Sequence, residues 1–200
     1  MLNPTSSQTS SSPFHERKVL VGLTGGIACY KVATLVSRLV QRGASVRVIM
    51  TEAATHFVTP LTFQSLSGHP VLTGIWQSDD HPRQSAHRPG TLGHLYIIAP
   101  CTANTLAKLA HGLSDDLVSL AASALPREPK MTPVLLAPAM NAQMWENPIT
   151  QRNLTTVREI LKYQTVGPES GWQACRTSGA GRMSEPEAIL DAAEKLLISQ

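Results

Sequence analysis

The chain has 200 residues, 42% of them hydrophobic and 16% charged, with a formal net charge of +3. So little charge excludes a coiled coil or a charged disordered chain, while the apolar share is enough for a packed core. No apolar run approaches the roughly 18 residues of a membrane span. Three each of Phe, Tyr and Trp leave little for stacking on nucleic-acid bases, and a mildly basic surface without a dense basic block suits anionic small molecules better. Cys29, Cys101 and Cys175 are odd in number and far apart with no CxxC pair, so neither a disulfide framework nor a metal site is expected. The start of the chain lacks a basic segment followed by an apolar one, so the expected compartment is the cytoplasm.

Residues 1–16, rich in Ser, Thr and Pro, are expected to form a disordered tail, followed by one domain over residues 17–200. KVLVGLTG from Lys18 is a short apolar run ending in Gly, the pattern of a strand buried on both faces. Ala28, Val32, Leu35, Val36, Leu39 and Val40 then recur at helical spacing, with Gly43 where the helix should end. SVRVIM (45–50) reads as the next strand. Strand, helix, strand in this order is a βαβ unit and favours a parallel sheet covered by helices. LYIIAP (95–100) predicts a third strand, residues 102–123 carry helical spacing through Leu106, Leu109, Leu113, Leu117 and Leu120, and TPVLLAPAM (132–140) predicts a strand running into a turn. Ser184 and Glu187 have the spacing of a capping box with Pro186 in the first turn, opening a last helix through Ile189, Ala193, Leu196 and Leu197. Residues 77–93 and 167–185 break the pattern and read as long loops, which are more often functional than accidental. The expected fold is a doubly wound α/β domain.

Ligands of such sheets bind beyond the carboxyl ends of the strands, and four segments fall there. Thr24-Gly25-Gly26-Ile27 is either a tight turn or a phosphate loop at a helix N-terminus; it is not GxGxxG, so the dinucleotide fingerprint is absent. Beside this first segment, Thr51 at the end of the second strand supplies another small hydroxyl. Thr102 has the place of a helix N-cap, while Asn104 behind it is less expected in a first turn. Asn141, after Ala137-Pro138-Ala139-Met140, is a turn former by default. In the last segment, Gly171-Trp172-Gln173-Ala174-Cys175 precedes Gly179-Ala180-Gly181-Arg182-Met183. A Cys in a glycine-rich loop is poorly suited to core packing, so Cys175 is the candidate reactive thiol and Arg182 a candidate anion contact. Cys29 and Cys101 read as structural. No two of the seven histidines have convincing metal spacing.

Taken together, TGGIACYK (24–31), PCTANTLAKLAHGLSDDL (100–117), APAMNAQMWENP (137–148) and GWQACRTSGAGRM (171–183) resemble the flavin-dependent cysteine decarboxylases, in particular the branch acting on 4′-phosphopantothenoylcysteine in coenzyme A biosynthesis. The resemblance implies a single-domain flavodoxin-like Rossmann fold that binds FMN and assembles as a homotrimer or homododecamer. It implies that Gly25, Gly26 and Ile27 approach the FMN phosphate, that Thr51, Thr102, Ala103, Asn104, Thr105 and Ala139 also contact FMN, and that Asn141 holds the substrate carboxylate. It makes Cys175 a proton donor on a flap that includes Ala174, Arg182 and Met183. The active-site histidine is matched to His87, with His81 and His94 as alternatives, although Ala86-His87-Arg88-Pro89 lies one residue nearer the strand than the usual spacing. A second departure is Arg176-Thr177, where Gly-Asp is usual; Arg does not replace Gly cheaply at positive φ.

The implied chemistry is specific. Losing CO2 from an acylated cysteine leaves a carbanion with no adjacent electron sink; oxidising CH2–SH to a thioaldehyde creates one, and this two-electron step needs a flavin. His87 would manage the thiol proton, and reduction of the resulting enethiol would take a proton from Cys175. The alternatives are a peptidyl-cysteine decarboxylase of the same family and a non-enzymatic flavin-binding regulator. Flavin prenyltransferases share the phosphate loop but lack the Cys segment. A separate phosphopantothenoylcysteine synthetase is an expected partner; nucleic acid and membrane are not.

Overall fold

The apolar runs behave as the sequence dictates in a computed structural model that describes residues 12–75, 93–126 and 131–199. They form β1 (Lys18–Leu23), β2 (Ser45–Met50), β3 (Leu95–Cys101) and β4 (Val134–Pro138), with a two-residue β5 (Gln164–Thr165) at the edge. All pair in parallel in the order β2-β1-β3-β4-β5, the flavodoxin-like order. The chain leaves β1 for β2 on one side and returns to β3 on the other, so the switch point lies between the ends of β1 and β3.

Both faces of each central strand are buried, which is why the runs are almost continuously apolar. Val19, Val21 and Leu23 of β1, with Leu95 and Ile97 of β3, face the core beneath α1 (Cys29–Gln41), α3 (Pro60–Ser67) and α8 (Pro186–Ile198). Leu20, Tyr96 and Ile98 face the opposite core, under α4 (Ala103–His111), α5 (Leu117–Ser123) and α7 (Pro148–Glu159). The short helices α2 (Glu52–Thr55) and α6 (Ala142–Glu146) start just beyond the ends of β2 and β4.

Four details differ from the sequence expectations. The helical stripe across 102–123 is two helices: Gly112, at φ 71°, ends α4 in the left-handed region, and Asp116 opens α5 with a reciprocal capping box to Ser119. Leu113, counted in the stripe, lies in the connection and is exposed. The Ser184–Glu187 capping box does not form; Glu185 takes the N-cap place without a capping hydrogen bond, because its carboxylate is taken by Lys31 at 2.8 Å and by Arg182. Part of the stretch read as a loop over 167–185 is an antiparallel hairpin, β6 (Glu169–Trp172) and β7 (Ser178–Arg182); its Gly- and Ser-rich strands have little apolar alternation to betray them.

The expected tail boundary at residue 16 also cuts through packed chain. Phe14 is fully buried against the α1 side of the sheet, Arg42 stands 5.8 Å from its ring centroid, and the Glu16 N–H reaches the Gly43 carbonyl at 3.0 Å. A single aromatic in a polar run gives no periodicity, so only the tertiary contact reveals it. Phe14→Ala is expected to cost about 3–5 kcal/mol, measured as a fall in the denaturant midpoint at unchanged slope.

Candidate active site

The ends of β1 and β3 are tied by one buried hydroxyl. Thr24 Oγ1 donates to the Pro100 carbonyl at 2.6 Å and accepts the Thr102 N–H at 3.1 Å. Beyond this tie opens a cleft of about 1160 Å³, lined from the β1–α1, β2–α2, β3–α4 and β4–α6 connections and from the hairpin. That lies just above the roughly 300–1,000 Å³ of an ordinary small-ligand pocket.

Apart from the alternative histidine His94, every sequence-derived site residue within the described chain lines this cleft: Gly25, Gly26 and Ile27; Thr51; Thr102, Ala103, Asn104 and Thr105; Ala139 and Asn141; Ala174, Cys175, Arg182 and Met183. His87 and His81 lie outside the described residues. His94 does not join the cleft; it sits at the amino edge of the sheet, where its Nδ1 accepts the Lys18 N–H at 3.0 Å.

The default structural readings hold alongside the cleft positions. Thr51 caps α2 by accepting the Ala54 N–H, Thr102 caps α4 by accepting that of Thr105, and Asn141 Oδ1 caps α6 by accepting that of Met144 at 2.8 Å. Asn141 spends only its carbonyl oxygen on the cap, so its NH2 keeps two donors for an acidic ligand. By contrast, α1 begins at the cleft with no side-chain cap. The Cys29, Tyr30 and Lys31 N–H groups turn back to the Gly26, Ile27 and Ala28 carbonyls at 3.0–3.3 Å, so what the helix start offers an anion is its positive dipole end and the turn ahead of Cys29.

The two glycines of this turn differ in role. A Cβ on Gly25 would meet the Ala53 Cβ at 2.5 Å, so Gly25 allows α2 to pack on the loop; a Cβ on Gly26 would fit in ordinary van der Waals contact, 3.8 Å from the Thr102 methyl and 4.0 Å from the Pro100 ring. A ligand brought against this backbone is what a side chain at 26 would displace.

Cys175 stands at the hairpin tip. Gln173 N–H bonds to the Thr177 carbonyl at 2.8 Å and Arg176 N–H to the Gln173 carbonyl at 2.9 Å, a three-residue turn of the kind that ends in a left-handed residue. Arg176 occupies that position at φ 63°, the place where the resemblance led to the expectation of glycine. Cys175 is exposed, whereas Cys29 and Cys101 are buried. Burial pushes the Cys29 thiol up and that of Cys101 to about 12, so neither is a nucleophile or acid at neutral pH.

Sequence reading missed how the hairpin is held. Lys31, its side chain 10% exposed, bonds to Glu185 and also reaches the Met183 carbonyl at 3.4 Å. Arg182, a candidate anion contact, is already paired with Glu185. Hydrogen bonds from Lys31 and then Arg182 hold the Glu185 carboxyl below its usual range. Lys31 lies inside TGGIACYK and Arg182 inside GWQACRTSGAGRM, but nothing in the local pattern marks Glu185 as the partner they share.

A family model described as Flavoprotein matches residues 7–198. The chain belongs to the Flavoprotein family. It is 39% identical over 181 residues to a probable phosphopantothenoylcysteine decarboxylase of Streptococcus mutans, covering 90% of this chain and 99% of that one. It is 43% identical over 184 residues to the coenzyme A biosynthesis bifunctional protein CoaBC of Bacillus subtilis, covering 90% of this chain but 43% of that one; it thus spans less than half the length of such bifunctional relatives. Among solved structures, a PPC decarboxylase Cys-to-Ser mutant complexed with pantothenoylaminoethenethiol superposes with a TM-score of 0.74 at 27% identity, over 93% of this chain and 100% of that one. The FMN-binding protein AtHal3 gives 0.73 at 29%, over 93% and 99%.

Two outcomes are expected from this geometry. Gly25→Ala should lower stability by about 1–3 kcal/mol through overpacking, whereas Gly26→Ala should stay within about 0.5 kcal/mol; paired denaturant titrations decide. Arg176→Gly should raise stability by about 1 kcal/mol by removing the left-handed penalty, less the entropy glycine adds to the unfolded chain, read in the same way.

Proposed function

We propose that this chain is an FMN-dependent decarboxylase of 4′-phosphopantothenoylcysteine, forming 4′-phosphopantetheine in coenzyme A biosynthesis. The observation that carries the reading is that one cleft holds the start of α1, without a side-chain cap, behind the Gly25-Gly26 turn, amide donors on Asn141 and an exposed thiol on Cys175. The residues fit FMN: the α1 N-terminus and Gly26 suit its phosphate, while Thr51, Thr102, Ala103, Asn104, Thr105 and Ala139 offer small hydroxyl, amide and methyl groups that leave space for a flat ring. When bound, FMN supplies the two-electron oxidation of the substrate's CH2–SH and returns the electrons after CO2 has left.

The protein's own part is orientation and proton transfer. The Asn141 NH2 holds the carboxylate through neutral hydrogen bonds, so the departing CO2 is not anchored by an ion pair. His87 takes the substrate thiol proton in the oxidation half. The Cys175 Sγ–H protonates the enethiol carbon in the reduction half, and its thiolate regains a proton from water at the exposed tip. The complex of the related Cys-to-Ser mutant with an aminoethenethiol supports this division. A carboxylate next to a peptide bond would make the same demands, so peptidyl-cysteine decarboxylation is the second reading.

The proposal includes a homotrimer or homododecamer acting beside a separate phosphopantothenoylcysteine synthetase in the cytoplasm. Ile27, Tyr30, Met144 and Trp172, which line the cleft yet are 46–65% exposed, support self-association that covers them. No helix among the described residues is long and apolar enough to cross a membrane.

The test is purified protein, its visible flavin spectrum recorded, incubated with 4′-phosphopantothenoylcysteine while product mass is followed. The expected product has lost CO2 and is fully saturated. His87→Asn should slow CO2 release by about 10²–10⁴-fold; Cys175→Ser should release CO2 yet stall at the enethiol. Protein that cannot be reconstituted with FMN, or saturated product from Cys175→Ser, overturns the reading.

A further inference from the structure

We infer that Gln173 is a positioning residue that holds the Cys175 thiol and Asn141 in one rigid frame, and so sets the efficiency of the second, reducing half of the reaction. The inference rests on the proposed role of Cys175 as proton donor.

Gln173 is the one buried residue between Trp172 and Ser178, at 7% exposure in a turn whose other members face solvent. A buried carboxamide must be hydrogen-bonded throughout, and this one is. Its Nε2 donates to the Gly179 and Ala180 carbonyls at 3.2 and 3.0 Å, which braces β7. Its Oε1 accepts the Ala142 N–H at 3.1 Å and the Cys175 Sγ–H at 3.5 Å. One oxygen atom thus touches both the helix that starts behind Asn141 and the thiol.

Asn141 is gripped from its other side as well. The Met140 N–H donates to the Gly181 carbonyl at 2.9 Å. The approach is close enough that a Cβ on Gly181 would lie 2.3 Å from the Met140 carbonyl oxygen, and one on Gly179 would lie 2.6 Å from the Ala142 Cβ. The residues flanking Asn141 are therefore both bonded to the hairpin, Ala142 through the Gln173 side chain and Met140 directly to β7. Thr177 completes the frame, with its hydroxyl 3.0 Å from Cys175 Sγ. It can donate to the sulfur once the S–H bond has broken and its proton has formed the new C–H bond of the saturated product.

Such a frame matters unequally to the two halves. CO2 release needs Asn141 in the cleft but not the thiol, and Asn141 keeps its cap to Met144 and the adjoining Met140–Gly181 bond when the Gln173 amide is removed. Protonation of carbon needs Sγ within reach of one substrate atom, and misplacement by about an ångström is enough to cost ~10²-fold. Gln173→Met keeps the length and removes every polar contact.

The experiment compares wild type, Gln173→Met and Cys175→Ser, each flavin-loaded, for CO2 released and for the ratio of enethiol to saturated product. Gln173→Met is expected to keep CO2 release within a few-fold of wild type while enethiol accumulates at least tenfold. Without turnover, iodoacetamide should alkylate Cys175, the exposed cysteine, several-fold faster in Gln173→Met because the sulfur has lost its tether. A wild-type product ratio, an equal loss of both halves as a simple structural brace would give, or an unchanged alkylation rate overturns the inference. Cys175→Ser separates the premise: if it too yields saturated product, the proton-donor reading itself has failed.

Discussion

The site depends on a constraint that belongs to the sheet. Because the chain passes from β1 to β2 on one side and comes back to β3 on the other, the connections after β1 and β3 diverge and leave a crevice between them. Two diverging loops would ordinarily be free to move apart. The Thr24 hydroxyl prevents this by bonding to Pro100 and Thr102 together, and it is buried where water cannot compete for those bonds. Gly26, Ala103 and Asn104 owe their common frame to that one side chain.

The hairpin adds a second wall. Its sequence gives it little core of its own, so it is held by backbone approach and polar contacts: β7 against Met140 and Ala142, Gln173 into the interior, and Glu185 shared between Lys31 and Arg182. This mode of attachment suits a flap. Polar contacts near the surface are individually modest, so the hairpin can be ordered over a ligand without the large apolar burial that would fix it shut. Arg176 in the left-handed region at the tip adds strain at the turn beside the proposed proton donor.

The cysteines illustrate how environment sorts identical side chains. Cys29 and Cys101 are packed into the two cores and held protonated by burial, whereas Cys175 stands in the turn where its partners are an amide oxygen and a hydroxyl. Chemistry needing proton transfer has one thiol available, and it is the one the cleft includes.

By itself, the sequence determined the alternation of strands and helices, the parallel sheet, and the four segments that meet at the strand ends. These follow from local periodicity and from turn residues at fixed offsets, properties carried by neighbouring positions. Motif resemblance added the family, and with it the chemical roles proposed for the site residues. The tertiary structure decided what neighbouring positions do not encode. It divided the 102–123 stripe at Gly112, buried Phe14, paired Glu185 with Lys31 instead of leaving the helix start to Ser184, and turned Gln173 inward. Each of these depends on a partner far along the chain or on the geometry of a turn, and a lone polar or aromatic side chain shows no period from which such a partner could be read.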